Sequence, residues 1–152
     1  MKPVDLVAHP EGGRFRQVFK SRALVQRGDG TRRAALTHIY FSLQRHEKSR
    51  FHRVGSDEVW NLYRGTGLRL YCWDGSEAPP GQVVLSARAD RFCHVIPAGT
   101  WQAAEPLADD VLVGCSVAPG FEDADFELLA PQSAPARRLI VLDPRMAAFL
   151  GP

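Results

Sequence analysis

Ser49-Arg-Phe-His-Arg-Val-Gly-Ser-Asp-Glu-Val-Trp-Asn-Leu-Tyr-Arg-Gly65 is the most informative run of this 152-residue chain. Asp57 to Arg64 has the make-up of a strand, and Gly65-Thr66-Gly67 ends it. Leu68 to Trp73 follows at once, so the two strands are predicted to form a hairpin. Glu58 shares a side with Trp60 and Leu62, which predicts a buried carboxylate. Such a group needs a partner or a raised pKa, and Arg50, Arg53 and His52 are the candidates. Alternation around His52 puts Arg50 on its side and Arg53 opposite.

Outward from this hairpin the chain reads as strands and turns. Thirteen Gly and eleven Pro are spread along its length and cut it into short pieces, as a many-stranded fold requires. Arg14 to Lys20 is a first strand, launched by the turn Glu11-Gly12-Gly13. Ala34 to Gln44 is the longest strand. Ala35, Thr37, Ile39, Phe41 and Leu43 share one side; Leu36, His38, Tyr40, Ser42 and Gln44 share the other. Both sides are bulky, so which one faces an interior stays open. Further strands are expected at Gln82 to Ala87, Phe92 to Ile96, Thr100 to Ala104, Val111 to Val117, Phe126 to Leu129 and Arg138 to Leu142. Pro144 to Leu150 suits one or two terminal helical turns. About ten strands with almost no helix predict one all-β domain over residues 1–152, a sandwich or a jelly-roll barrel.

Composition narrows the function classes. Lys plus Arg is 19 and Asp plus Glu is 17, a net charge of +2. That balance argues against a nucleic-acid or membrane-surface binder. No apolar run approaches the ~20 residues of a membrane span, and the first residues lack the apolar stretch of a secretory signal. A cytoplasmic location is expected by default. Cys72, Cys93 and Cys115 are odd in number and form no CxxC pair, so they are expected as buried, reduced thiols. The side chains of Cys93 and His94 point to opposite sides of a strand and do not make a joint metal site.

Two segments carry a resemblance. The first is the run quoted above, with His52, an acid six positions later and Gly65 seven beyond that. The second is Pro97-Ala-Gly-Thr-Trp-Gln102, P-x-G-x-x-Q. Together they resemble the two motifs of the cupin superfamily. Flanking words tighten the likeness: HPEGGRF at His9 to Phe15, IYFSL at Ile39 to Leu43, PAGTWQAA at Pro97 to Ala104 and VGCSVAPGFEDADFEL at Val113 to Leu128. Over residues 5 to 130, and in this order, they are similar to the small Cupin_5 family, related to RmlC-type sugar epimerases. The resemblance implies a double-stranded β-helix barrel, paired as a homodimer, with residues 131–152 as a C-terminal extension.

What the resemblance implies for the site departs from the metal-binding pattern. Where metal cupins place two His, an acid and a third His, this chain has Arg50, His52, Glu58 (or Asp57) and Gln102. Asn61 stands where the family commonly has His. A transition metal, if held at all, would sit on His52, Glu58 and Gln102, a poor set with Arg50 opposing it. No firm cofactor is therefore expected.

The expected function is a small-molecule-binding barrel, an isomerase or epimerase by analogy, with His52, Glu58 and Tyr40 as acid–base candidates. Arg50, His52, Trp60, Tyr63, Trp101 and Gln102 are the expected ligand contacts. Arg50 favours an anionic ligand, and the polar set a polyhydroxylated one. A metal-dependent oxygenase or isomerase and a non-catalytic binding module are the alternatives.

Overall fold

A computed structural model describes residues 5–151. Thirteen strands and one helix follow in chain order: β1 (Val7–Ala8), β2 (Arg14–Lys20), β3 (Leu24–Gln26), β4 (Arg32–Ala34), β5 (Thr37–Leu43), β6 (Ser49–Val54) and β7 (Asp57–Arg64). Then come β8 (Leu68–Trp73), β9 (Gly81–Leu85), β10 (Cys93–Ile96), β11 (Trp101–Pro106), β12 (Val111–Ala118), β13 (Phe126–Leu128) and α1 (Ala134–Leu142). Short 3₁₀ turns cover Asp123–Asp125 and Pro144–Phe149. No helix among the described residues is long and apolar enough to cross a membrane.

Two antiparallel sheets face each other. One has six strands in the order β1-β2-β5-β12-β7-β10, the other five in the order β13-β6-β11-β8-β9. The crossovers between non-consecutive strands make this a jelly-roll barrel. Alternation decides what lies between the sheets. Phe41 and Leu43 of β5, Trp60 of β7, Leu68 and Leu70 of β8, and Val111, Val113 and Cys115 of β12 close one core. The opposite residues of the five-stranded sheet, Phe51, Tyr71, Trp73 and Trp101, build a second core against Leu139, Met146 and Phe149. That sheet is thus covered on both sides, as its doubly apolar strands require.

Four expectations need correction. Arg138 to Leu142 is not a strand but the end of α1. Ser133 caps the helix by accepting the Ala136 N–H, and a proline stands in the first turn, as helix starts favour. Ala136, Leu139 and Leu142 recur every three residues and meet the second core, while Val141 is 82% exposed. The four-residue apolar run suggested a strand, but only one helical face of it is buried. Second, Ser49–Val54 is a strand in its own right, and Ala34 belongs to the separate β3–β4 hairpin rather than to β5. Third, Cys93 is exposed and Cys72 only half-buried, which leaves Cys115 as the buried thiol. Fourth, Asp57 to Arg64 and Leu68 to Trp73 do not pair as a hairpin: β7 lies between β12 and β10 in the six-stranded sheet and β8 between β11 and β9 in the other, so the glycine turn carries the chain from one sheet to the next.

Candidate functional site

The barrel stays open at one end, where a cavity of about 350 Å³ lies between the sheets. Its wall is largely apolar: Phe15, Ile39, Phe41, Trp60, Phe121 and Phe126 take part. The polar floor is His9, Glu11, His52 and Glu58, with Lys20, Glu122 and Asp123 among the other lining residues. The side of the long strand that the sequence left open is settled here, with Thr37, Ile39 and Phe41 facing in.

Glu11 reaches the floor through a tight turn. Gly12 (φ 108°) and Gly13 (φ 71°) are in the left-handed region, which an L side chain enters only at a cost. A Cβ on Gly12 would also strike the Lys48 carbonyl. The Arg50 N–H donates to the Glu11 carbonyl at 2.7 Å, tying the turn to β6. Ser49 Oγ then donates to Glu11 Oε1 at 2.7 Å, and Glu11 Oε2 lies 3.1 Å from His52 Nε2.

His52 is positioned by β6 and oriented by its backbone. Its Nδ1 lies 2.7 Å from the Arg50 carbonyl. A carbonyl can only accept, so Nδ1 carries the proton and Nε2 is the exchanging nitrogen. Nε2 and Glu11 Oε2 can bond only with one proton between them. Burial lowers the His52 pKa against the pull of Glu58, and burial raises Glu11 to about 7 against His9, Ser49 and Arg50. Both shifts favour a proton on Glu11 and a neutral imidazole. Phe126 stacks on the ring at 5.5 Å. His9 completes the floor: it accepts the Glu11 N–H at Nδ1, 3.2 Å away, and its pKa is lowered by burial.

Glu58 stands on β7 with its carboxyl raised to about 7 by burial; His52 and the Gln102 amide lower it, Glu11 raises it. Gln102, opposite His52 in the β6–β11 ladder, accepts the Trp60 indole N–H at Oε1, 2.7 Å away. This fixes the amide's orientation, and Nε2 is buried without a partner at bonding distance.

Of the candidates named from sequence, His52, Glu58 and Trp60 line the cavity, and Gln102 lies buried behind Trp60. The others do not line it. Arg50 turns away to donate to the Pro10 carbonyl. Tyr40 and Tyr63 stand on the outer face of the six-stranded sheet, because the pleat that turns Phe41 and Trp60 inward turns them out. There Tyr63 meets His38 Nε2 at 3.0 Å. Trp101 packs in the second core, with the Arg53 guanidinium 4.4 Å above its ring. Glu11 and His9 are the residues that sequence reasoning missed as site groups. Their signal was a carboxylate between a histidine and two glycines, read only as a turn.

His52, Glu58 and Gln102, the residues named for a metal if one were held, do not fit that role. The Gln102 oxygen is taken by Trp60, and both His52 nitrogens are engaged, by Arg50 and Glu11. No three His, Cys, Asp or Glu side chains among the described residues are arranged to hold a metal ion.

A jelly-roll barrel with its polar floor built from β6, β7 and the turn before β2 is the architecture of a cupin. The chain belongs to the Cupin_5 family of the cupin superfamily (DUF985), whose model matches residues 1–129. It is similar to protein SO0799 from Shewanella oneidensis, at 30% identity and a TM-score of 0.79, covering 97% of this chain and 92% of that one. A hypothetical protein from Leishmania major shows 29% identity and a TM-score of 0.75, with 95% and 90% covered. The oxalate decarboxylase of Lactobacillus farciminis shares the fold at 16% identity and a TM-score of 0.61, over 84% of this chain and 34% of its own. No curated protein matches the chain.

Proposed function

We propose that the protein binds a small carbonyl compound in the barrel cavity and moves protons on it, as an isomerase or epimerase does. The observation that carries this is the approach of Glu11 Oε2 to His52 Nε2, 3.1 Å apart, in a cavity that Glu58 also lines. Burial pushes both carboxyls up to about 7. Groups poised near the working pH accept and return protons with least penalty. Glu58 takes the proton next to the carbonyl, and the Glu11–His52 pair returns one. Ser49 and the Arg50 carbonyl hold that pair in place.

The anionic ligand expected from Arg50 loses its basis, since Arg50 lies outside the cavity wall. Lys20, which does line the cavity, is paired with Glu122 at 2.9 Å. An aromatic wall suits a ligand with one apolar face.

The test is deuterium exchange. Wild-type protein is incubated in D2O with a panel of aldoses, ketoses and amino ketones, and proton NMR follows loss of the C–H next to the carbonyl. Exchange is expected with at least one compound, slowed about 10²–10⁴-fold by Glu58→Gln. Exchange that persists at the full rate in Glu58→Gln, or no exchange with any compound, would defeat the acid–base reading.

A further inference from the structure

The cavity's charge inventory is one-sided. Glu11, Glu58, Glu122 and Asp123 line it, with Lys20 as the one lysine and no arginine among the described lining residues. Glu11 carries the proton it presents to His52 and Glu122 is paired, so Glu58 and Asp123 supply the unbalanced negative charge. Lys20 is neutralised by Glu122. Neither histidine supplies a standing positive charge: His9 Nδ1 accepts the Glu11 N–H, and burial disfavours the charged form of both rings. Arg50 acts on Glu11 from outside the wall.

The second observation is polar capacity left unused. Glu58 is 6% exposed and forms no ion pair among the described residues. Beside it the Gln102 side chain is fully buried, with Nε2 unpartnered and its oxygen already taken by Trp60. Burial disfavours the ionised form of Glu58, and the Gln102 amide works against that effect; a cation arriving beside the carboxylate would favour ionisation further. The oxygens of the ionised form accept; they cannot donate. Trp60, Phe41, Phe126 and Phe121 line the same cavity, and aromatic rings attract cations.

We propose that the cavity takes an organic cation: a protonated amine received by Glu58, with its apolar body against Trp60, Phe41 and Phe126. This rests on the reading of the cavity as a ligand site and specifies the charge of what enters. A carboxylate ligand would meet ionised Glu58, with Asp123 at the rim, without a free cation to offset the repulsion. An alcohol would bond to Glu58 but gain no charge attraction, and charge-assisted hydrogen bonds are about twice as strong as neutral ones.

The experiment uses three probes of one shape, benzylamine, benzyl alcohol and benzoate, titrated into the full-length protein at pH 8 and followed by NMR and calorimetry. Benzylamine is expected to bind at least about tenfold more tightly than benzyl alcohol, with benzoate weakest. Glu58→Gln, nearly isosteric, should remove the amine's advantage while leaving benzyl alcohol within about twofold. Asp123→Asn, on the exposed rim, should weaken the amine by a smaller factor and guards against a folding defect in the first variant. Benzoate binding as well as benzylamine, or an unchanged amine advantage in Glu58→Gln, overturns the proposal. Equal binding of amine and alcohol rejects the cation and keeps the ligand site. Absence of any response to all three probes rejects both.

Discussion

Glu58 is a carboxylate that folding places where it is expensive to ionise. Its pKa stands at about 7 against an ordinary 4.5, with burial the main cause. A carboxyl raised on folding lends stability that is full below its unfolded pKa and is lost as pH climbs through the folded one. Stability from Glu58 therefore falls between about pH 4.5 and 7. His9 and His52 act in the opposite sense, since their lowered pKa values cost stability as pH falls below their ordinary value. Comparing wild type with Glu58→Gln cancels the His9 contribution and leaves Glu58 together with its pull on His52. The variant's melting temperature relative to wild type should rise from pH 5 to pH 8.5, by the equivalent of roughly 1–3 kcal/mol. A difference that is flat with pH, measured by calorimetry, would show that Glu58 is not held near neutrality. At this same scale, His52 was readable as a site residue from its motif position. Glu11 was not, because nothing local says that a turn residue ends beside a histidine on another strand.

Elements repeat the lesson with different physics. β5 and β7 were legible because a pleat alternates with period two and glycine turns bound them. The C-terminal segment misled, because Leu139-Ile140-Val141-Leu142 is apolar throughout and fits either period. What selects the helix is the Ser133 cap with a proline behind it, and a core that accepts one helical face only. Leu139 is fully buried and Val141 is 82% exposed. Leu139→Ala is expected to cost about 2–5 kcal/mol in urea unfolding, and Val141→Ala to stay within about 0.5 kcal/mol. Equal costs at the two positions would return the segment to a strand buried on both sides. The turn before β2 is the other element whose role was hidden. Its two glycines permit the approach to Lys48 and Ser42 that drives Glu11 inward.

For the molecule as a whole, the two sheets are covered unequally. The five-stranded sheet has the barrel interior on one face and the C-terminal helix on the other. The six-stranded sheet has no such cover over its outer face among the described residues. Phe19, Tyr40, Tyr63 and Val95 stand there, each 39–51% exposed. They are ordered: Tyr40 and Tyr63 pack edge to face at 6.0 Å, and His38 joins Tyr63 to Ser116. Gly114 lets the Tyr63 ring lie against β12, since a Cβ there would overlap it. An aromatic sheet face of this kind suits a second copy of the chain, and we propose that it forms a homodimer interface. Light scattering at micromolar concentration should give twice the 16.8 kDa chain mass. Tyr63→Glu together with Val95→Glu should halve that value. A wild-type mass near one chain would remove the homodimer.

The sequence by itself determined the barrel, because strand pleat, glycine turns and the ordered motif words are local patterns that survive without knowledge of neighbours. It also marked His52 and Glu58, which lie on strands of the motif, as groups of one interior. Only the tertiary structure decided that Glu11 lies 3.1 Å from His52, that Arg50 turns out to Pro10, and that Tyr40 and Tyr63 face away from the cavity. Those outcomes depend on which strands become neighbours and in what register. Glu11 and Ser49 are 38 residues apart in the chain and 2.7 Å apart in space. A contact of that kind is set by how the turn before β2 is anchored to the β6 backbone, which no window of sequence contains.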